Sequence, residues 1–210
     1  MKRHIALTLV LSFGMIALGR TQTLINVAPG ADIGASSVYY GMLTEFGTQK
    51  LVDGIFGPDS SGNDYNQWLA NGVADPDRDN QGFFPTLLVF DLQASYSLSG
   101  VSLFNTKNAP YNDTGSKDFS IEVSSDGTNY SSSLISGTLT WQNTSFQDYQ
   151  FTNLTSARYV RIQLNSAVRE SPTSRVGLQE VKIMAVPEPS VLSLLAVGLG
   201  VVLRRRRRAV

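Results

Sequence analysis

The sequence contains no cysteine and only one histidine among its 210 residues. Without cysteine the chain has no disulfide bonds, no thiolate metal ligands and no thiol nucleophile. The one histidine, His4, stands just ahead of the first apolar run, in a segment that we interpret below as a removed leader. A mature chain without His or Cys has no Ser-His-Asp triad, no Cys-His dyad and no histidine-ligated zinc, which excludes most familiar hydrolase chemistry.

The chain also lacks net charge, because 17 basic residues balance 17 acidic ones. The two signs are unevenly placed, however, since five of the basic residues form the run Arg204–Arg208 near the C-terminus. Residues 20–186 hold ten basic and sixteen acidic side chains, a net charge of −6. An acidic domain is a poor partner for phosphate backbones, so we expect no nucleic-acid binding. The length and the 42% hydrophobic content suit one domain with a real core and short appendages.

The N-terminus has the order of a secretory signal. Basic residues at the start are followed by an apolar run over 5–18, and small residues flank a potential cleavage site before Arg20. We predict a signal peptide over 1–19. The alternative is a retained membrane anchor, for which fourteen apolar residues are short against a hydrocarbon core of about 30 Å.

The C-terminus, residues 186–210, has three parts: a short motif, an apolar segment over 190–203 and the arginine run. The apolar segment is fourteen residues long, about 21 Å as a helix, and the arginines would stay on the cytoplasmic side. This order resembles the PEP-CTERM sorting signal of Gram-negative bacteria. The resemblance implies a transient inner-membrane anchor that an exosortase cuts, and a destination at the cell surface or in the extracellular matrix. The alternative is a tail anchor without processing. The motif itself is Val186, Pro187, Glu188 and Pro189.

The middle of the chain reads as an all-β domain over 20–185. Residues 87–90 form a continuous apolar run, as expected of a buried strand. Apolar and polar residues alternate over 119–124 and again over 159–164. This period of two is typical of a strand with one face exposed to solvent. No stretch of twelve residues shows a helical period, so the pattern predicts a sandwich or a barrel.

Several short fragments follow one another along this part of the chain. They are Leu51-Val52-Asp53-Gly54, Trp68, the strand and Asp-Gly turn over 119–127, residues 157–162, and Gly177-Leu178-Gln179-Glu180-Val181. Their order resembles that of the factor V/VIII C-type, or discoidin, domain of the galactose-binding-like superfamily. The resemblance covers roughly 24–184. It implies an antiparallel jelly-roll β-sandwich, flanked here by N-terminal signal and C-terminal anchor helices. Members are mostly binding modules for sugars, phospholipid head groups or proteins.

The same resemblance implies a structural calcium ion. In that family the ion is held by the Asp of the Asp-Gly pair and by a Glu near the last strand, which correspond to Asp53 and Glu180. Asp59 is a further expected ligand, and Asn63 and Asp64 are possible loop oxygens. Ca²⁺ takes six to eight hard oxygen ligands, which two carboxylates and loop oxygens can supply. The alternative is that Asp53 is only a turn residue and Glu180 only a solvated strand position.

An aromatic residue in a polar loop is a natural platform for sugar, because the C–H face of a pyranose stacks on the ring. Tyr111 is the best example, and Asn108 and Arg169 could add hydrogen bonds. Ordinary loop packing is the alternative for Tyr111. For Trp68 we expect core packing.

Three functions are compatible with these patterns. The first is an exported, non-catalytic module that binds carbohydrate, such as an exopolysaccharide. The second is a structural or protein-interaction component of the matrix without a glycan site. The third is a glycosidase that uses a pair of carboxylates; it is the least supported, because no separate catalytic domain is visible in the sequence.

Overall fold

The computed structural model describes residues 23–63, 65–71, 84–142, 145–169 and 175–187. This part of the chain is built from strands with three very short helical turns, a 3₁₀ turn at Tyr39–Gly41, α1 at Leu43–Phe46 and a 3₁₀ turn at Thr48–Leu51. The strands are β1 Ile25–Asn26, β2 Asp32–Ala35, β3 Trp68–Leu69, β4 Thr86–Asn105, β5 Asp118–Ser124, β6 Ile135–Thr138, β7 Gln147–Leu164 and β8 Gly177–Val186.

Two long strands, β4 and β7, create the layers of the sandwich. Their pairing is antiparallel throughout and is interrupted by register shifts between Asp91 and Tyr96 and between Leu98 and Gly100. Such irregularities bend a strand and increase its twist. The first half of β4 therefore pairs with β2 on one side and with the second half of β7 on the other. The second half of β7 also pairs with β5, and β5 pairs with β6. The second half of β4 joins β8, to which β1 and β3 are added.

The core lies where the alternating strand positions face inward. Leu88, Phe90, Ile121 and Ile162 are fully buried, and each is separated from the next inward position by one residue that is less buried. Because successive side chains of a strand point to opposite faces, the period of two read in the sequence is the cause of this pattern. The expectation of an all-β, antiparallel sandwich is confirmed.

Trp68 belongs to this core, as the sequence analysis expected. Its side chain is fully buried, and its indole N–H donates to the Ser37 carbonyl oxygen over 3.3 Å. Trp68 pairs with Leu178 and Leu69 with Gly177, so β3 is attached to the beginning of β8. This pairing brings the loops beside β3 and the beginning of β8 together at one end of the sandwich.

The two ends of the described chain lie at the opposite end. Ile25 pairs with Ala185, close to the last residue of β8. The ten residues of β8, Gly177–Val186, span roughly 30 Å at a rise of about 3.3 Å from each residue to the next. The expected signal peptide and anchor segment, residues 1–19 and most of 186–210, lie outside the described residues. Within the described part of the chain, no helix has the length and apolar character needed to cross a membrane.

Candidate functional site

A cavity of about 460 Å³ opens at the end of the sandwich where β8 begins. This volume is typical of small-molecule sites, which occupy roughly 300–1,000 Å³. The residues that line it come from five separate stretches of sequence and combine aromatic rings with polar side chains. They are Tyr39, Glu45, Phe46, Tyr65, Leu69, Asn108, Tyr111, Asp113 and Arg175, and we call this set the loop-end pocket.

The turn after β4 places two of the predicted sugar-binding residues on this pocket. Asn108 and Asn112 both have left-handed backbone angles, with φ of 55° and 51°, which asparagine tolerates better than most residues. The Asn112 N–H donates to the Asn108 carbonyl oxygen over 2.8 Å and closes the turn. Tyr111 stands at the tip with 69% of its surface exposed. An exposed ring of this kind is available for stacking with a ligand.

A buried hydrogen-bond chain orients the polar side of the pocket. Gln67, which is fully buried, donates from Nε2 to Asn108 Oδ1 over 2.7 Å and accepts from the Thr106 hydroxyl. Asn108 in turn donates from Nδ2 to Asp113 Oδ1 over 2.6 Å. Because each member is held by the next, Asn108 and Asp113 have fixed orientations before any ligand arrives.

Arg175 and Tyr39 form the opposite side. The guanidinium lies 4.8 Å from the centre of the Tyr39 ring, and its Nη1 is 3.8 Å from Asp113 Oδ2. The Tyr39 ring also packs edge-on against Phe46, with 5.3 Å between ring centres. Burial, reinforced by a hydrogen bond with Tyr40, raises the pKa of Tyr39 to about 12, so the phenol is neutral at physiological pH.

The structure places Arg169, the third predicted sugar-binding residue, away from the loop-end pocket. Its guanidinium carbon lies 5.9 Å from the centre of the Trp141 ring, and the residue does not line the loop-end pocket. Arg175 takes that place, because it stands two residues ahead of Gly177, the first residue of β8, which pairs with the pocket residue Leu69. Tyr39, Tyr65 and Asp113 also line the pocket but were not predicted. Arg169 and Arg175 both precede the last strand, so the sequence carries no local signal that separates them.

A second group of polar residues lies where the loop after the second 3₁₀ turn meets β8. The Gly54 N–H donates to Glu180 Oε2 over 3.3 Å, and the Gly57 N–H donates to the Gln179 side-chain oxygen. Gly54 has φ of 77°, a conformation that favours glycine. Asp53 precedes it, and both of its carboxylate oxygens accept from the Asn66 amide, at 3.0 and 3.1 Å.

Glu180 is the buried acid of this group, with 2% of its surface exposed. Burial raises its pKa to about 7; the negative charge of Asp53 adds to the rise, while the Gly54 hydrogen bond and the positive charge of Lys182 oppose it. Lys182 does not pair with it, because the Lys182 ammonium lies over the Phe146 ring at 3.6 Å. The buried Glu180 carboxyl thus lies near the exposed Asp53 carboxylate, and neither forms an ion pair among the described residues.

Asp59 does not join this pair. Its Oδ1 accepts from the backbone N–H groups of Ser61 and Asn63, both at 2.8 Å, in a turn of its own. The part of the chain that the structure describes contains no group of three or more His, Cys, Asp or Glu side chains placed to hold a metal ion. The expected set of Asp53, Asp59 and Glu180 is therefore reduced to Asp53 and Glu180, while Asp64 lies outside the described residues.

Comparison with known families gives one match, to the F5/8 type C domain, over residues 32–178. Comparison with curated proteins gives no significant match. Among solved structures, a truncated AlyQ with CBM32 and alginate lyase domains has a TM-score of 0.55 and 23% identity, and the match covers 80% of this chain but only 35% of that one.

Two further structures match over nearly their whole length. The family 32 CBM of NanJ from C. perfringens, solved with galactose, has a TM-score of 0.57 and 14% identity, covering 77% of this chain and 99% of that one. A chitosan-binding module of a chitosanase/glucanase from Paenibacillus sp. IK-5 has a TM-score of 0.53 and 22% identity, with 76% and 98% covered. These similarities establish a shared fold.

Proposed function

This chain belongs to the F5/8 type C domain family, and on that premise we propose that it is a carbohydrate-binding module without catalytic activity of its own. The observation that carries the proposal is the loop-end pocket, in which four aromatic rings surround oriented polar side chains. The names of similar structures support it, since one was solved with galactose and another is described as chitosan-binding. In AlyQ, the CBM32 and alginate lyase domains are named separately.

The chemistry of the pocket suits a pyranose. The exposed ring of Tyr111 offers a face for the C–H groups of the sugar, and the neutral phenol of Tyr39 can donate to or accept from a hydroxyl. Asn108 and Asp113 add an amide and a carboxylate that are already oriented by buried partners. Prior orientation lowers the entropy that binding would otherwise cost.

The test is glycan binding by the full-length chain, purified in a detergent without a sugar head group. We expect binding of at least one glycan class, and a loss of about tenfold or more for Tyr111→Ala and Arg175→Ala. The matched control is Leu154→Ala, because Leu154 is also a large exposed side chain, at 57%, but does not line the pocket. A chain that binds no glycan, with or without Ca²⁺, would contradict the proposal.

The second candidate is a structural or protein-interaction role in a matrix, without a glycan site. Apolar surface outside the pocket favours it, since Ile55 is 60% and Phe56 43% exposed. Assembly at the surface that persists in Tyr111→Ala and Arg175→Ala variants, combined with no glycan binding by the wild type, would select this role.

We propose in addition that a calcium ion is held by Asp53 and Glu180. The support is the buried Glu180 carboxyl, whose pKa is raised by burial and by the negative charge of Asp53 beside it. A flip of the Asn66 amide, whose nitrogen now donates to Asp53, would turn its oxygen toward an ion bound at Asp53. Bound calcium would neutralise the two carboxylates and connect the Asp53 loop to the last strand.

We also propose export to the cell surface or extracellular matrix of a Gram-negative bacterium, with exosortase processing at the motif that begins at Val186. The support is the three-part C-terminal sequence and the fact that β8 ends at Val186, so that Pro187 begins a segment beyond the folded sheet. Glu188 and Pro189 lie outside the described residues. The loop-end pocket would then face away from the anchored end. Fractionation that finds the intact chain in the cytosol would contradict export.

A further inference from the structure

Among the described residues, the charge that lines the loop-end pocket is unbalanced toward negative. The charged side chains there are the carboxylates of Glu45 and Asp113 and the guanidinium of Arg175. The phenol of Tyr39 adds no charge at physiological pH. The charged residues among those that line the pocket therefore sum to one negative charge.

Arg175, the one cation among the described residues that line the pocket, already faces a carboxylate. Arg175 has 18% of its side chain exposed, lies against the Tyr39 ring and faces Asp113 at 3.8 Å. Its charge is thus partly compensated within the protein, and an incoming carboxylate would have to compete with Asp113 for it. Glu45 is exposed and makes no ion pair among the described residues. Its charge remains available to a ligand.

The aromatic rings are a second reason to expect a positively charged ligand. The faces of tyrosine and phenylalanine rings carry a negative partial charge and attract cations. Four such rings, Tyr39, Phe46, Tyr65 and Tyr111, line the pocket together with the unpaired carboxylate. A ligand with a pyranose body and a positive charge satisfies both features, whereas a uronate would meet repulsion from Glu45 and Asp113.

From this charge and ring arrangement we infer that the pocket takes amino sugars whose 2-amino group is free and protonated, in preference to N-acetylated, neutral or uronic sugars. This inference rests on the proposed carbohydrate-binding function and names the ligand class of that same site. Glu45 and Asp113 are the residues that determine the preference. Glu45 acts directly through its free charge, and Asp113 acts both on the ligand and through its contacts with Asn108 and Arg175.

The test compares tetramers of glucosamine, N-acetylglucosamine and mannuronate by calorimetry with the full-length chain, at about pH 6 and low salt. We expect the glucosamine tetramer to bind about fivefold or more tightly than its N-acetylated counterpart, and the mannuronate tetramer to bind most weakly. The preference should shrink at high salt. Glu45→Gln should reduce the ratio of the two affinities, that of the glucosamine tetramer over that of its N-acetylated counterpart.

Asp32→Asn is the matched control. It removes the same charge from an exposed position on β2, which pairs with the far end of the first half of β4, so it should leave the preference intact. Asp113→Asn is the second variant and should also reduce the preference. Equal binding of the two glucosamine-type tetramers, tighter binding of mannuronate, or an unchanged preference in Glu45→Gln would overturn the inference while the carbohydrate-binding function stands. Absence of binding to every glycan would overturn both.

Discussion

Glu180 makes the sharpest prediction about stability, because a buried carboxyl group should respond to pH and to calcium in opposite ways. Its pKa is raised from about 4.5 to about 7 by burial and by Asp53. A raised pKa means that the folded state prefers the protonated acid, so this contribution to stability is fully present below about pH 4.5 and is lost as pH rises through about 7. This rise of the Glu180 pKa, by roughly 2.5, corresponds to about 3 kcal/mol in the free energy of unfolding.

The perturbation is Glu180→Gln, which resembles the protonated acid in shape and can still accept from the Gly54 N–H. In a chelator at about pH 8, we expect the variant to melt about 6–12 °C above the wild type, since about 1 kcal/mol shifts the melting temperature of a domain of this size by 2–4 °C. At about pH 4 the two proteins should melt at similar temperatures.

Calcium should reverse this order. At a thousand times its dissociation constant, an ion held by Asp53 and Glu180 stabilises the wild type by about 4.1 kcal/mol, which exceeds the deficit of about 3 kcal/mol. The variant has lost one of the two carboxylates and should gain much less. Asp53→Ala should likewise lower the melting temperature in calcium buffer, whereas Glu45→Gln, an exposed acid without an ion pair among the described residues, is the control that should change little.

Differential scanning calorimetry of wild type and variants, with calcium and with chelator, distinguishes two ways in which this reasoning could fail. Equal melting temperatures of the wild type in the two buffers would refute the ion. A chelated wild type whose melting temperature does not fall relative to Glu180→Gln between about pH 4 and pH 8 would refute the buried, unpaired state of the acid.

Three further outcomes follow from the fold and the pocket. Trp68→Ala should lower the free energy of unfolding by about 3–5 kcal/mol in urea titrations, because the side chain is fully buried and leaves a cavity. Gln67→Leu removes the buried donor to Asn108 and should weaken glycan binding severalfold in calorimetry, with native circular dichroism retained. The pKa of Asp91 is lowered to about 2, chiefly by its hydrogen bonds from Arg158. A lowered pKa stabilises the fold above about pH 4, and this effect is lost as pH falls through 2. The melting temperature of Asp91→Asn should therefore fall less than that of the wild type as the pH is lowered from about 4 to 2.

Local patterns in the sequence were sufficient for the strands and for the family. The alternation over 119–124 and 159–164 was confirmed as β5 and the second half of β7, because a period of two is a property of each strand by itself. The resemblance to the F5/8 type C family was also confirmed. The continuous apolar run over 87–90 predicted a buried strand; it lies in the first half of β4, where Leu88 and Phe90 are buried and Leu87 and Val89 are half-buried.

The pocket was only partly predictable. Asn108 and Tyr111 were found because a single loop with an aromatic tip is visible in the sequence. Arg169 was predicted as a ligand residue, whereas Arg175 lines the loop-end pocket; both precede the last strand, and nothing local distinguishes which guanidinium faces the pocket.

What the sequence by itself determined is the set of strands, the family and the residue types available for chemistry, which exclude thiol mechanisms and leave His4 as the sole histidine. What only the tertiary structure decided is which distant loops meet. Tyr39, Tyr65, Tyr111 and Arg175 share one pocket because β3 pairs with the start of β8 and β4 runs beside it. Strand register over such separations depends on the packing of the whole core, so no local pattern encodes it.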